Sequence, residues 1–572
     1  MKKRIALFLC VVMVFSLCAC NKAKNEGGEV KDNVVTEAPA KDSNRTADNK
    51  DVSAADEVTP IVTEAPVSEQ SNDVEFVAIS LCNHNRTEWT DDYEFVKYDL
   101  EYQTAFVSAD MAHKYPELDK ALKEFSERQE SAVLSNGEWF DETYALMYAD
   151  SDPSEEEYYE ALFMDSKFEV ARSDSRAVSL VEHYSDYTGG IHGNYGTYGT
   201  NFDTQTGAIL KIADIVSDTD KLAGIVAEGI ANQYPDTEFF VDSVYEYINF
   251  QIENDVLSYS LGYDGLTVMF NPYEIASYAD GILSVTVYFS DYADLFNERY
   301  LDVPERYMIN MPGSNYLGIA YTSYDGSHRT VSISPSFYSF DEYEEYDCFK
   351  VISDDNEADA LLVESWGWDI EARFVSLAFG EFLLIESTGA SDVTTLYVIA
   401  LYDKPQLIQT MDITSMYGEW LEGYDVECYA SVRLYDPSNI ILCTREDMIG
   451  TNFWTANFFM EENGELTRTD DYFHATYEWP FKLKQTISIP EVDFVSGALT
   501  GRDIEVSEGT EIRMIRTDGY RTVDCEIGET GQYLRLELNG YPSAYDPDDW
   551  VVNQYYQDIY FEELFEGISY AG

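Results

Sequence analysis

The chain has 572 residues, with 107 Asp and Glu against 36 Lys and Arg, for a formal charge of −71. Hydrophobic residues make up 45% and aromatic residues 15%, enough to bury cores in roughly three or four domains, so a wholly disordered chain is excluded. A surface this acidic has no basic face with which to displace counterions from a phosphate backbone, and nucleic acid is excluded as a partner.

Met1-Lys2-Lys3-Arg4 is a positive n-region, and Ile5 to Phe15 is apolar and uncharged. That stretch is too short to stay in a bilayer as a spanning helix and polar sequence follows it, as in a cleaved signal peptide over residues 1–19. It closes with Leu17-Cys18-Ala19-Cys20, which resembles the lipobox of bacterial lipoproteins. The resemblance implies a diacylglyceryl thioether on Cys20, cleavage just before it, and a chain held through its lipid at the extracellular face of the cytoplasmic membrane. Two or more acyl chains anchor stably where one does not. Residues 20–75 read as a spacer. No aromatic residue occurs from 21 to 74, and Val-Thr-Glu-Ala-Pro appears at 35–39 and again at 62–66. Such a segment cannot bury enough apolar surface to offset its backbone entropy, and it is expected to be disordered.

From residue 76 the sequence turns aromatic-rich. Pro116 marks a helix start, with Leu118, Ala121, Leu122 and Phe125 at helical spacing. A strand pair is predicted around Phe168–Tyr184. A second helix starts near Thr219, with Leu222, Ile225, Val226, Gly229 and Ile230 on one face and Pro235 ending it. Two period-two strands follow, one carrying Leu266, Val268 and Phe270, the other Val285, Val287 and Phe289. Together these predict an α+β domain over 76–297.

Within it, Gly189-Gly190-Ile191-His192-Gly193-Asn194 is followed by Asn201-Phe202-Asp203 and Thr206-Gly207, then by Gly265–Phe270 leading into Asn271-Pro272-Tyr273-Glu274-Ile275, and by Tyr278-Ala279. This ordered set resembles the extracellular domain shared by RsiV-type lysozyme-sensing anti-sigma factors and the amino-terminal regions of some peptidoglycan deacetylases. The resemblance implies an α+β fold and a surface that binds a lysozyme-type protein or peptidoglycan. The chain departs from both groups, since it shows neither a sigma-binding segment with a transmitting membrane helix nor the deacetylase metal motif. The candidate residues are Gly189, Gly190, His192, Gly193, Asn194, Asn271, Pro272 and Tyr273. The structural reading of the first run is a tight turn in which Gly189, Gly190 and Gly193 supply positive φ and His192 bonds the returning backbone.

Residues 298–488 read as an all-β domain, with hairpins at Phe379–Leu401 and Ile440–Met460 that fit a partial propeller or a sandwich alike. Residues 489–572 alternate as a small β-barrel and resemble SH3-like modules: Val523, Cys525 and Ile527, then Leu534, Leu536 and Leu538. The fold class is therefore multidomain and β-rich overall. Beyond Cys20 the cysteines are Cys82, Cys348, Cys428, Cys443 and Cys525, with no Cys-x-x-Cys; buried free thiols are expected, a Cys428–Cys443 bond being the alternative.

No nucleophile elbow, zinc helix or phosphate-binding glycine loop occurs, and His84, His113, His183, His192, His328 and His474 show no metal-ligand spacing on a helix. Acidic Asp546-Pro547-Asp548-Asp549 lacks the frame of a calcium loop. No catalytic residue, metal or cofactor is expected. The expected function is non-catalytic binding of an envelope partner; a carboxylate-based hydrolase and a purely architectural protein are the alternatives.

Overall fold

The computed structural model describes residues 74–568 apart from internal residues 91–94, 149–160, 312–316, 324, 341–342, 390–393, 417–428, 435–436, 438, 448, 450, 477–479, 529 and 543–549. Leu17, Cys18, Ala19, Cys20 and the spacer up to residue 73 lie outside the described residues, as do Cys428 and Asp546–Asp549. An α+β amino-terminal region leads into a β-rich remainder.

The first sheet contains β1 (Ile79–Trp89), β2 (Val96–Val107), β3 (Leu162–Ser173), β4 (Ala177–Tyr187) and β5 (Asn194–Asp203), in that order. β2 and β3 run parallel, and the other pairs are antiparallel. A parallel pair needs a long crossover, which helix α1 (Pro116–Met147) supplies. Pro116 sits at its start with Glu117 and Asp119 in the first turn, where a missing N–H and negative charge are both favourable. Leu118, Leu122 and Phe125 pack on Phe168 and Phe202; further along, Val133, Phe140 and Tyr144 pack on Tyr98, Leu100 and Leu162. The helix thus runs well past the short apolar stripe that announced it, because its second half buries its own face on the parallel strand pair. Strand Tyr429–Leu434 completes the sheet on the far side of β1, pairing Ile79 with Leu434 and Asn83 with Tyr429.

Helix α2 (Thr219–Gln233) is capped by Asp218, whose carboxylate accepts from the Lys221 N–H, and α3 (Val244–Glu253) by Ser243, which accepts from Glu246. Leu222, Ala223, Val226 and Ile230 on α2 and Ile248 on α3 bury against β6 (Ser258–Leu261), β7 (Gly265–Phe270) and β8 (Leu283–Tyr288). A Cβ on Gly229 would lie 2.7 Å from a Val285 methyl, so glycine lets the helix settle onto β8. Phe289 is buried, as its alternation implied, but it begins a short helical turn rather than ending the strand.

The three-stranded sheet is fastened to the first by a side-chain amide: Asn201 of β5 accepts from Leu261 N–H at 2.9 Å and donates to Tyr259 C=O at 2.9 Å. Arg172, fully buried in β3, ties the same units together. It donates to Asp174 at 2.7 Å and to the carbonyls of Tyr300 (2.8 Å), Asp302 (3.0 Å) and Gly262 (3.3 Å).

A five-stranded sheet then forms from β9 (Tyr307–Met311), β14 (Asp369–Leu377), β15 (Gly380–Thr388), β16 (Thr394–Leu401) and β17 (Pro405–Ile413). A four-stranded sheet holds β10 (Gly318–Thr322), β11 (His328–Phe340), β12 (Tyr343–Ser353) and β13 (Leu361–Gly367). The two lie face to face: Tyr346 on β12 donates to Ser387 on β15 at 2.7 Å, and the rings of Phe349 and Tyr397 are 5.4 Å apart. The two hairpins read from the sequence sit in different sheets. Asn310 of β9 repeats the amide fastening on β3, accepting from Val170 N–H and donating to Phe168 C=O, both at 2.8 Å.

The carboxy-terminal strands Pro480–Leu483, Ile487–Val492, Leu499–Val506, Glu511–Thr517, Thr522–Ile527 and Tyr533–Pro542 surround a core of Phe481, Ile489, Ile512, Val523, Leu534 and Leu536. Among the described residues no pairing closes them. The expected small barrel at 489–572 is instead an open sheet, joined through Phe473–Ala475 to Thr451–Met460. The alternation reports a buried face and not closure. Of the cysteines, Cys348, Cys443 and Cys525 are free as expected, with Cys443 and Cys525 buried, and the alternative bond at Cys443 is not formed; Cys82 departs from the expectation and is disulfide-bonded.

Candidate functional site

Residues 188–193 connect β4 to β5. Gly189 (φ 82°) and Gly190 (φ 134°) both take left-handed values. A Cβ on Gly189 would also lie 2.7 Å from the Met147 sulfur at the end of α1. Gly193 does not have positive φ, contrary to the expectation for this turn. It is needed for space, since a Cβ there would come within 2.5 Å of the Asp186 carbonyl. Asn194 donates to the Asp186 carboxylate at 2.8 Å, and the Tyr184 hydroxyl donates to the other oxygen of the same group. Burial, with Asp186 beside it, pushes the Tyr184 phenol well above its ordinary pKa. These contacts fix the base of the loop and leave its tip outside: Ile191 is 100% exposed.

The second motif follows β7. Asn271 accepts from Thr197 N–H at 2.6 Å and donates to Thr197 C=O at 3.3 Å, binding the motif to β5 by the amide device already seen at Asn201. The Asn271 N–H in turn donates to Glu274 at 2.7 Å. Burial raises the Glu274 pKa, while that N–H and the Tyr247 and Gln251 side chains work in the opposite direction. Pro272 leads into Tyr273, which has φ 68° and is 58% exposed. A left-handed tyrosine is uncommon, and here the turn is closed by Tyr273 N–H to Ala276 C=O at 3.1 Å.

Both motifs meet at Tyr278. Its hydroxyl donates to the Gly193 carbonyl at 3.0 Å, and its ring lies 4.2 Å from His192, 5.2 Å from Tyr195 and 5.7 Å from Tyr273. The exposed His192 ring also has Nδ1 2.7 Å from the Gly193 carbonyl. The structure therefore brings Gly189, Gly190, His192, Gly193 and Asn194 together with Asn271, Pro272 and Tyr273 on one surface. Ile191, Tyr195 and Tyr278 belong to it as well. Tyr278 stood in the sequence motif, but nothing in its spacing showed that it would join the two halves.

The surface presents apolar and aromatic groups over a layer of carboxylates that are already hydrogen-bonded. Among the described residues no group of three or more His, Cys, Asp and Glu is placed to hold a metal ion. Replacing Tyr278 by Phe removes one hydroxyl that fixes the loop. It is expected to cost about 1 kcal/mol of stability and to speed proteolytic cleavage within 188–193. An unchanged cleavage rate would mean that ring packing alone holds the loop.

Fold and surface together define an α+β module that displays a preformed aromatic loop surface at the junction of two sheets. Residues 213–290 match the family described as "Protein of unknown function (DUF3298)". The match takes in α2, α3, β6–β8, Asn271–Tyr273 and Tyr278, while Gly189–Asn194 precede it. Among solved structures, a DUF3298 family member from Bacteroides fragilis is 16% identical, with a TM-score of 0.28, over 39% of this chain and 95% of its own. A DUF3298 family protein from Pseudomonas aeruginosa is 12% identical, with a TM-score of 0.26, over 39% of this chain and 96% of its own. No curated protein matches the chain.

Proposed function

We propose that this protein is a lipid-anchored bacterial surface protein, tethered through Cys20, whose α+β domain binds a cell-envelope partner without turning it over. The partner is a lysozyme-type protein or peptidoglycan, as the resemblance to RsiV-type domains implies. The observation that carries the reading is the loop surface itself. Gly189–Asn194 and Asn271–Tyr273 are locked to each other through Tyr278 and β5, yet Ile191 is fully exposed and Tyr273 more than half exposed. A prearranged apolar surface loses little entropy when it docks. The disulfide at Cys82 fits export, since such bonds persist in oxidising compartments.

The net charge of −71 draws any cationic protein by long-range attraction, so lysozyme must be compared with a cationic control such as cytochrome c. Specific binding of lysozyme is expected to survive about 0.15 M salt, where the Debye length is about 8 Å, and Ile191→Asp is expected to weaken it at least tenfold, roughly 1.4 kcal/mol. Equal binding of both proteins, lost at that salt, would leave attraction of charge as the whole effect. Steady release of reducing sugar from cell wall by the purified chain would replace the binding reading with the hydrolase one.

A further inference from the structure

The joint between the first sheet and the five-stranded sheet carries more charge than the loop site, and the binding reading makes no use of it. Asn310 clamps β9 onto β3 at Phe168 and Val170, and Arg373 is the residue opposite Asn310 on β14. Arg373 is 1% exposed and lies 3.1 Å from Glu386 of β15 and 3.7 Å from Glu371 of its own strand. On the other side, Lys167 of β3 reaches Glu101 of β2 and Asp165, each at 3.6 Å. Lys167 also lies within electrostatic reach of Asp369 and Glu371, so the two halves form one cluster. Asp99 of β2 adds a further negative charge within electrostatic reach of Asp165. Carboxylates from β2, β3, β14 and β15 thus share Lys167 and Arg373 and outnumber them.

We infer that this cluster is a proton-operated clasp: the junction of β3 with β9 and β14 tightens when a carboxylate of the cluster takes up a proton and loosens when the cluster is fully ionised. Like charges brought into a partly dry joint repel, and removing one by protonation relieves the repulsion without breaking the ladder on either side. Glu371 is the group best placed to take the proton. Burial pushes its pKa up from 4.5 to about 7, the Arg373 guanidinium opposing this while Glu386 and Asp369 add to it. Burial likewise raises Asp165 and Asp369, with Lys167 opposing in both cases. Burial works against the charge on Lys167, but Asp165 and Glu101 outweigh it and hold the ammonium above its usual pKa.

The closed joint binds the Glu371 proton more tightly than the open one, so closure is most favoured below about pH 5. It weakens as pH rises through 7 and changes little above that.

Hydrogen exchange on the intact chain, corrected for intrinsic rates, tests this at pH 5, 6, 7 and 8. Amides in 165–170, 307–311 and 369–375 should lose protection as pH rises, by up to tenfold per pH unit for a single proton. Glu371→Gln carries no proton to lose, and its protection in these segments should stay flat and high at every pH. Wild-type protection that does not vary with pH would overturn the clasp, and so would a Glu371→Gln chain that varies as the wild type does. If that variant fails to fold, Asp369→Asn supplies the test. Removing one neighbouring negative charge should move the wild-type midpoint to lower pH, and an unmoved midpoint would overturn the proposal.

Discussion

Arg172→Ala is expected to cost about 3–5 kcal/mol of folding stability, the range for removing one partner of a buried ion pair. The guanidinium is fully buried, and it serves four acceptors on three separate segments: Asp174, Gly262, Tyr300 and Asp302. The Asp174 carboxylate is also fully buried, and its other oxygen accepts from the Arg176 and Ala177 N–H groups at 2.7 and 3.0 Å. Loss of the arginine leaves that charge without a counter-ion and three carbonyls without a donor. Lysine should not rescue the site, because an ammonium cannot spread its donors as a planar fork does. Urea unfolding followed by far-UV circular dichroism measures the effect. A loss below about 1 kcal/mol would show that water enters and replaces the arginine, since buried groups left unpaired cost more than that.

Gly199→Ala is expected to be similarly severe, for a steric reason. β5 and β6 approach so closely that a Cβ on Gly199 would stand 1.8 Å from the Tyr259 carbonyl oxygen and 2.5 Å from its carbon. Both are backbone atoms, so no rotamer change makes room, and the strands must separate. Separation stretches the Asn201 amide bonds to Tyr259 and Leu261 and the Gly199 N–H bond to Ser258. A loss of about 3 kcal/mol or more is expected, at the upper end for overpacking, with the three-stranded sheet becoming more open to hydrogen exchange. Near-wild-type stability would mean that β5 can slide without strain.

Much of the amino-terminal fold was legible in local pattern. Leu222, Val226 and Ile230 recur at helical spacing and are buried, and Leu266, Val268 and Phe270 alternate and are buried. In each case one element buries one face, and periodicity reports faces. The glycines at 189 and 190 were legible because positive φ leaves a trace in residue type. At Gly193 steric approach by the Asp186 carbonyl leaves the same trace in residue type, so sequence cannot separate the two causes. The fastenings between sheets were not legible. Asn201, Asn271 and Asn310 each satisfy one N–H and one C=O on a distant strand, and nothing near them in the sequence marks an asparagine that does this. The Lys167–Arg373 cluster was hidden for the same reason: its members come from segments far apart in the chain. Chain closure is likewise invisible to alternation, and for that reason the carboxy-terminal sheet was expected to be a barrel.

The pairing of β1 with strand Tyr429–Leu434 has a consequence for biosynthesis. Ile79–Asn83 is among the earliest sequence of the folded region to be made, yet its outer neighbour arrives roughly 350 residues later. At ~5–20 residues per second, that interval is on the order of 20–70 s. Throughout it, the nascent chain can assemble β2 to β5 and dock α1, but the outer edge of β1 presents unpaired N–H and C=O groups. Such an edge recruits any strand that meets it, including the same edge on a neighbouring nascent chain. The protein must therefore either be kept unfolded until residue 434 has been delivered or have this edge shielded in the meantime, and the requirement falls on its handling in the cell rather than on the finished fold.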